Sequence, residues 1–300
     1  MNVLLCGDFS AAEESEWRAA LHAAMPEARW LDLAAARAAP AAVQAAVVAN
    51  PPPGSLQGLP ALQLIQSLWA GVDRLLADTT LPAGVPIARM VDPAMNAAMA
   101  ETALWAVLAL HRGFFAYAER QRRSEWRPHA QRRADEVRVL VLGQGQMGRT
   151  AATRIAQQGY RVAGWRRDGL PLARRLAETE VVINLLPLTA ETRGLMNARF
   201  FAALPAQASV VNLGRGAHLV DADLLDALDS GHLRHAVLDV FNTEPLPVDH
   251  AFWLHPKVTV LPHAAAATDA RSAAAVAVTN LRALRDGAPV LHKVDVRRGY

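Results

Sequence analysis

Short apolar runs and longer amphipathic stretches take turns along this chain, and that rhythm predicts an α/β protein. Val3 to Gly7 reads as a buried strand, Glu13 to Ala24 as a helix, and Ala45 to Ala49 as a second strand closed by Pro51-Pro52-Pro53-Gly54. Leu62 to Ser67 predicts a further strand ending in the turn Trp69-Ala70-Gly71-Val72-Asp73. Helix formers with apolar spacing predict one long helix over Ala97 to Glu119 and another over Ala267 to Arg285. Between them the alternation resumes, with strands at Val139 to Leu142 and Glu180 to Leu186 and only a short helical piece from Leu172 to Glu178.

Length turns this pattern into two domains. A chain of 300 residues exceeds what one core usually supports, and 52% hydrophobic with 20% charged residues is a globular composition. The last segment after the second long helix is expected to return to the first domain, which makes that domain discontinuous. The one cysteine, Cys6, lies in an apolar run, so a disulfide framework and a cysteine-built zinc site are excluded. MNVLLCGDF is too short an apolar run for the core of a signal peptide, and no uninterrupted apolar run reaches membrane-spanning length. A cytoplasmic location is expected, with no membrane partner.

A net charge of +3 gives no case for nucleic acid. The basic run from Arg120 to Arg138 reads as a solvated connection or a subunit arm, because only Trp126 offers an aromatic surface for stacking. His232, His235, His250 and His255 lack metal-ligand spacing, and no GxSxG elbow occurs, so metal catalysis and a serine hydrolase are both disfavoured.

VLVLGQGQMGRTAATRIAQQGYRVAGW reads as strand, glycine turn, helix and strand, the opening of a Rossmann unit. Gly143 permits the tight turn, Gly145 lets the backbone approach a pyrophosphate, and Gly148 allows close packing of the helix that follows, with Gln146 and Met147 between them expected to bind the cofactor. An NAD enzyme usually carries an acidic residue at the end of the second strand to hold the ribose hydroxyls. Here Trp165 is followed by Arg166 and Arg167, positive charge suited to a 2'-phosphate, so NADP(H) is expected to be preferred, with NAD(H) possible.

Reduction of a 2-oxo acid by hydride builds negative charge on the keto oxygen, which a protonated imidazole can stabilise and neutralise. His263 is the candidate acid/base, Glu244 the carboxylate that orients it, and Arg215, between two glycines, the guanidinium fork for the substrate carboxylate. Alone, each reads as an ordinary surface or turn residue. In this order, within VVNLGRG, LDVFNTEPL and LPHAAA, they are far more specific.

On these motifs, together with LLPLT at Leu185 to Thr189, LWAGVD at Leu68 to Asp73 and VDVRRGY at Val294 to Tyr300, nearly the whole chain resembles the D-2-hydroxyacid dehydrogenases. Within that family it is most similar to the glyoxylate/hydroxypyruvate reductases. The resemblance implies an α/β fold of two Rossmann-like or flavodoxin-like domains with parallel sheets: a substrate domain, 1–100 plus 268–300, and an inserted NAD(P)-binding domain, 101–267. It also implies that backbone amides at Gly71 and Val72 bind the carboxylate, that Leu186, Pro187 and Leu213 line the cofactor, that Thr192 nears its phosphates, and that Asp239 accepts from its carboxamide. Trp69 departs from the small residue usual in the family, and either narrows the substrate pocket or packs as structure. The piece from Leu172 to Glu178 is short for the family, so a more open adenine side is expected. A homodimer is a family expectation. The function expected is NADPH-preferring reduction of small 2-oxo acids. A dehydrogenase of a larger 2-hydroxy acid such as phosphoglycerate, or a non-catalytic NAD(P)-sensing binding protein, are the alternatives.

Overall fold

A computed structural model describes residues 1–167 and 169–300 and divides into two compact units, Met1–Met95 with Thr268–Tyr300, and Asn96–Ala267. In the first, β1 (Asn2–Gly7) leads through α1 (Ala11–Ala24), β2 (Arg29–Leu31) and α2 (Leu33–Ala38) to β3 (Ala45–Ala49) and β4 (Leu64–Ser67). The short α3 (Asp73–Leu76) and β5 (Ile87–Ala88) follow. All strands are parallel, in the order β2-β1-β3-β4-β5.

The second unit holds most of α4 (Pro93–Arg112), then α5 (Phe114–Arg122), β6 (Arg138–Leu142), α6 (Gln146–Ala156), β7 (Arg161–Trp165) and α7 (Leu172–Leu176). It continues through β8 (Val181–Asn184), α8 (Ala198–Ala202), β9 (Ala208–Asn212), α9 (Asp221–Asp229), β10 (Leu233–Leu238) and β11 (Val258–Val260). Its six parallel strands run β11-β10-β9-β8-β6-β7. The chain returns to the first unit in α10 (Ala270–Arg285), where buried Asn280 donates to Gln66 Oε1 of β4 at 2.7 Å and Val294 N–H donates to Ile87 O at 2.8 Å. Each unit is thus a Rossmann-like α/β body with a parallel sheet.

Burial on both faces explains the unbroken apolar strands. Val139, Val141, Ile183, Val211 and Val237 pack on one face against Ala103, Val107 and Leu110 of α4, while Leu140, Leu142, Val182, Val210 and Leu238 pack on the other against Phe200, Phe201, Leu224 and Leu228. By length and mean hydropathy, 1.2, α4 passes for a membrane span, but most of its buried positions belong to this core. Cys6 is buried in the core of the first unit, and burial pushes its thiol pKa up.

One expected element is corrected. The single helix predicted from 97 to 119 is two helices, α4 and α5, broken at Gly113 with φ +72°, where the His129 ring occupies the space a Cβ would need.

Candidate active site

The strand register of the second unit lines up one row across the whole sheet: Trp165, Leu142, Asn184, Asn212, Leu238 and Val260 are successive cross-strand partners. Every candidate of this unit lies just beyond that row, at the carboxyl ends of the strands, where open parallel sheets bind ligands. The strand order reverses between β6 and β8, so the glycine turn after β6 and the Leu186-Pro187 loop after β8 flank the switch point.

His263 sits on the turn after β11 with φ +53°, a left-handed conformation uncommon for a side-chain-bearing residue. Asp239, 1% exposed, holds that turn. Its backbone oxygen accepts His263 N–H at 2.9 Å, and its carboxylate accepts the amides of Ala264 at 2.7 Å and Ala265 at 3.1 Å. Burial raises the Asp239 carboxyl pKa, and the two amides together with nearby His263 pull it back. His263 Nδ1 lies 2.7 Å from Glu244 Oε2, with the imidazole side chain 52% exposed, so Nδ1 carries a proton toward the carboxylate and Nε2 is the atom left for proton exchange. The other carboxylate oxygen of Glu244 accepts Phe241 N–H at 2.9 Å, fixing the pair's geometry.

The Arg215 turn abuts this loop. A Cβ on Gly216 would collide with the Phe241 carbonyl, so only glycine lets the two backbones meet. Arg215 Nη1 donates to Gly214 O at 2.8 Å, and Asn212 Nδ2 donates to Arg215 O at 3.0 Å.

At the glycine turn, Gly143 has φ +93° and a Cβ there would strike the Leu185 carbonyl. A Cβ on Gly148 would strike Gly143 O, so α6 rests directly on the turn. Gly145 is the N-cap of α6. Among the described residues no side chain caps this end, its first turn holds no acidic residue, and a Cβ at Gly145 would meet open space. Free amides, positive dipole and clearance are what a pyrophosphate requires.

Beside the turn lies a pocket of about 320 Å³ lined by Arg149, Arg166 and Arg175, with Gln144, Gly164, Trp165, Gly169 and Leu170 as the rest of its wall. Gln144 lies over Gly164, in the space that a Cβ there would occupy. Three guanidinium groups around one cavity suit a phosphate.

Residues 104–265 match the family model for the D-isomer specific 2-hydroxyacid dehydrogenase, NAD binding domain. The chain is 39% identical to glyoxylate/hydroxypyruvate reductase A of Serratia proteamaculans and 35% identical to that of Yersinia enterocolitica, each alignment covering 100% of both proteins. The chain belongs to the D-isomer specific 2-hydroxyacid dehydrogenase family. Among solved structures, a family member from Xanthobacter autotrophicus Py2 in complex with NADPH and MES is 39% identical, with a TM-score of 0.92 over 100% of this chain and 99% of that one. The NADPH-dependent glyoxylate/hydroxypyruvate reductase of Sinorhizobium meliloti, in complex with NADP and sulfate, is 35% identical with the same TM-score and coverage.

Other family-implied residues occupy the same edge. Thr192 closes its own loop, its hydroxyl taking Thr189 N–H at 2.8 Å and donating to Pro187 O at 2.8 Å. Leu186 N–H donates to Asn184 Oδ1 at 3.2 Å, and the Leu213 side chain is buried in the core. Gln146 and Met147 open α6. Arg167 does not line the arginine pocket and pairs with Glu191 at 3.7 Å. In the first unit, Gly71 and Val72 form the turn after β4 with Val72 buried, and Trp69 stacks edge-on against Trp17 of α1 at 6.3 Å.

Sequence reasoning missed Arg149, Arg175 and the buried polar trio Asn184, Asn212 and His218, each of the three 0% exposed. Arg149 had a signal, its place directly after the third glycine in the first turn of α6. The trio had none, because nothing local announces their burial. The four histidines of the loose cluster are engaged individually: His232 with Phe201 O at 2.8 Å, His235 with Thr259 Oγ1 at 2.9 Å, His250 with Asp221 at 3.5 Å and His255 with Asp229 at 3.2 Å. Among the described residues, no group of three or more His, Cys, Asp or Glu could hold a metal ion.

Proposed function

We propose that this enzyme reduces small 2-oxo acids, glyoxylate and hydroxypyruvate foremost, to 2-hydroxy acids with NADPH preferred over NADH. The reading rests above all on the His263–Glu244 pair at 2.7 Å, held on a turn at the carboxyl edge of the cofactor sheet. The relatives named as glyoxylate/hydroxypyruvate reductases support the substrate class, and the three-arginine pocket supports a cofactor bearing a 2'-phosphate.

Bound NADPH supplies the hydride. Arg215 grips the substrate carboxylate with its fork. In the first unit, the backbone amides of Gly71 and Val72, beside Trp69, are assigned to substrate binding on family resemblance. As charge grows on the keto oxygen, His263 gives it the Nε2 proton, while the proton on Nδ1 keeps its hydrogen bond to Glu244, which fixes the ring. The α6 amides beyond Gly143, Gly145 and Gly148 hold the pyrophosphate, with Gln146 and Met147 in the first turn. Arg166, with Arg149 and Arg175, would hold the 2'-phosphate, and Arg167 would add positive charge nearby. Leu186, Pro187, Thr192, Leu213 and Asp239 are assigned to the nicotinamide and phosphate surroundings on family resemblance. A homodimer is the assembly expected on the same basis, and a monomeric mass by light scattering would overturn it.

The test is NADPH oxidation with glyoxylate and hydroxypyruvate in parallel, with NADH and His263→Gln as controls. Fast NADPH turnover lost in the variant is the expected result. Turnover with NADH alone would discard the phosphate assignment, and turnover with larger 2-oxo acids alone would overturn the substrate class.

A further inference from the structure

His218 lies three residues beyond Arg215 and is 0% exposed, an expensive place for a polar ring unless its nitrogens are satisfied. Both have partners. Nδ1 is 3.2 Å from the backbone nitrogen of Arg215 and 2.8 Å from Asn184 Nδ2, and Nε2 is 3.2 Å from the carbonyl oxygen of Pro187. Backbone N–H is always a donor, so Nδ1 must be the acceptor. In the neutral ring the proton is therefore on Nε2, which donates to Pro187 O.

The amide orientations follow in the same way. Asn184 Oδ1 must face Leu186 N–H, at 3.2 Å, and Asn212 Oδ1 must face Gly214 N–H, also at 3.2 Å. That turns Asn184 Nδ2 toward both Asn212 Oδ1, at 2.9 Å, and His218 Nδ1, and leaves Asn212 Nδ2 to donate to Arg215 O at 3.0 Å. One consistent assignment satisfies the whole network. The space a Cβ would need at Gly214 is bounded by Asn184 Nδ2 at 3.0 Å, His218 Nδ1 at 3.2 Å and Leu186 O at 3.2 Å, so the backbone lies directly on the trio.

We infer that His218 is a positioning residue that ties the loop after β8, carrying Leu186 and Pro187, to the loop after β9, carrying Arg215, and so sets the hydride donor in register with the carboxylate anchor. The inference rests on the proposed roles of Arg215 and Leu186-Pro187. The bridge has two separable halves, because asparagine Oδ1 stands as far along a side chain as histidine Nδ1, and glutamine Nε2 as far as histidine Nε2.

The experiment compares His218→Asn and His218→Gln with the wild type. His218→Gln keeps a donor for Pro187 but loses the acceptor for Arg215, so KM for glyoxylate should rise about tenfold while the NADPH Kd, read by fluorescence titration, stays within about twofold. His218→Asn keeps the acceptor and loses the donor, so the larger change, again about tenfold, should fall on the NADPH Kd. Amide hydrogen exchange on the protein without cofactor gives a readout independent of turnover: protection of the Arg215 amide should drop in the glutamine variant and persist in the asparagine variant. If both variants lower only the melting temperature, or shift both constants equally with the Arg215 amide still protected, the bridge is plain core structure and the inference is wrong. If the exchange pattern appears but neither constant splits, the bridge stands and the assigned roles of the two loops fail instead.

Discussion

The turns after β1 and β6 occupy equivalent places in two parallel sheets that share the order 2-1-3-4-5 along their common strands, and the helices that follow them begin in opposite ways. At α1, Ser10 caps the helix. Its hydroxyl oxygen takes Glu13 N–H at 3.3 Å, Glu13 Oε2 takes Ser10 N–H at 2.8 Å, and Glu13 and Glu14 set negative charge against the dipole. At α6, glycine stands at the cap, the first turn has no acid, and among the described residues no side chain caps the amides. Gly7, like Gly143, is closed in by its neighbours, whereas Gly145 at the cap itself faces open space. Strand order alone does not make a phosphate site. In the proposed reading, the unfinished end of α6 supplies what strand order does not.

The largest way to test this division of labour is His263→Gln, which should lower kcat by about a hundredfold or more with NADPH affinity unchanged, if the acid belongs to the second unit as proposed. Near-normal steady-state turnover would send the acid elsewhere. Next, Arg149→Glu with Arg175→Glu should raise KM for NADPH by more than about tenfold and leave KM for NADH within about twofold, if only the 2'-phosphate meets these charges as proposed. Equal changes for both cofactors would detach the pocket from that phosphate. Gly145→Asp gives α6 the kind of cap α1 already has, at φ −73° and ψ −170°, which any residue adopts. The melting temperature without cofactor should rise by about 2 °C while NADPH binding weakens about tenfold. A stabilised variant with unchanged Kd would show that the phosphates lie elsewhere. Smallest is Ser10→Ala, expected to cost about 1 kcal/mol in urea unfolding with no effect on NADPH Kd. Weakened cofactor binding there would erase the contrast.

The sequence made the strands legible where apolar runs were long enough to have no other use, as at Val139 to Leu142 and Ala45 to Ala49. It hid β2 and β5, whose three and two residues carry no period to read. Gly113 was invisible as a break because the apolar spacing continues through it, and only the His129 ring packed against it reveals the constraint. In the candidate site, motif residues were readable because their chemistry is tied to local spacing. The arginine pocket was only half readable, since Arg149, Arg166 and Arg175 come from α6, the end of β7 and α7 and meet only in the fold. Asp239 was read for the cofactor, and its grip on the His263 turn emerges from the register of β10 and β11.

Gly164 on β7 leaves room for the Gln144 side chain, which forms part of the arginine pocket's wall. An alanine there would evict that amide sideways, and the cavity would change shape with every cation still in place. The outline of that cavity thus hangs on a single missing methyl group, one residue before Trp165.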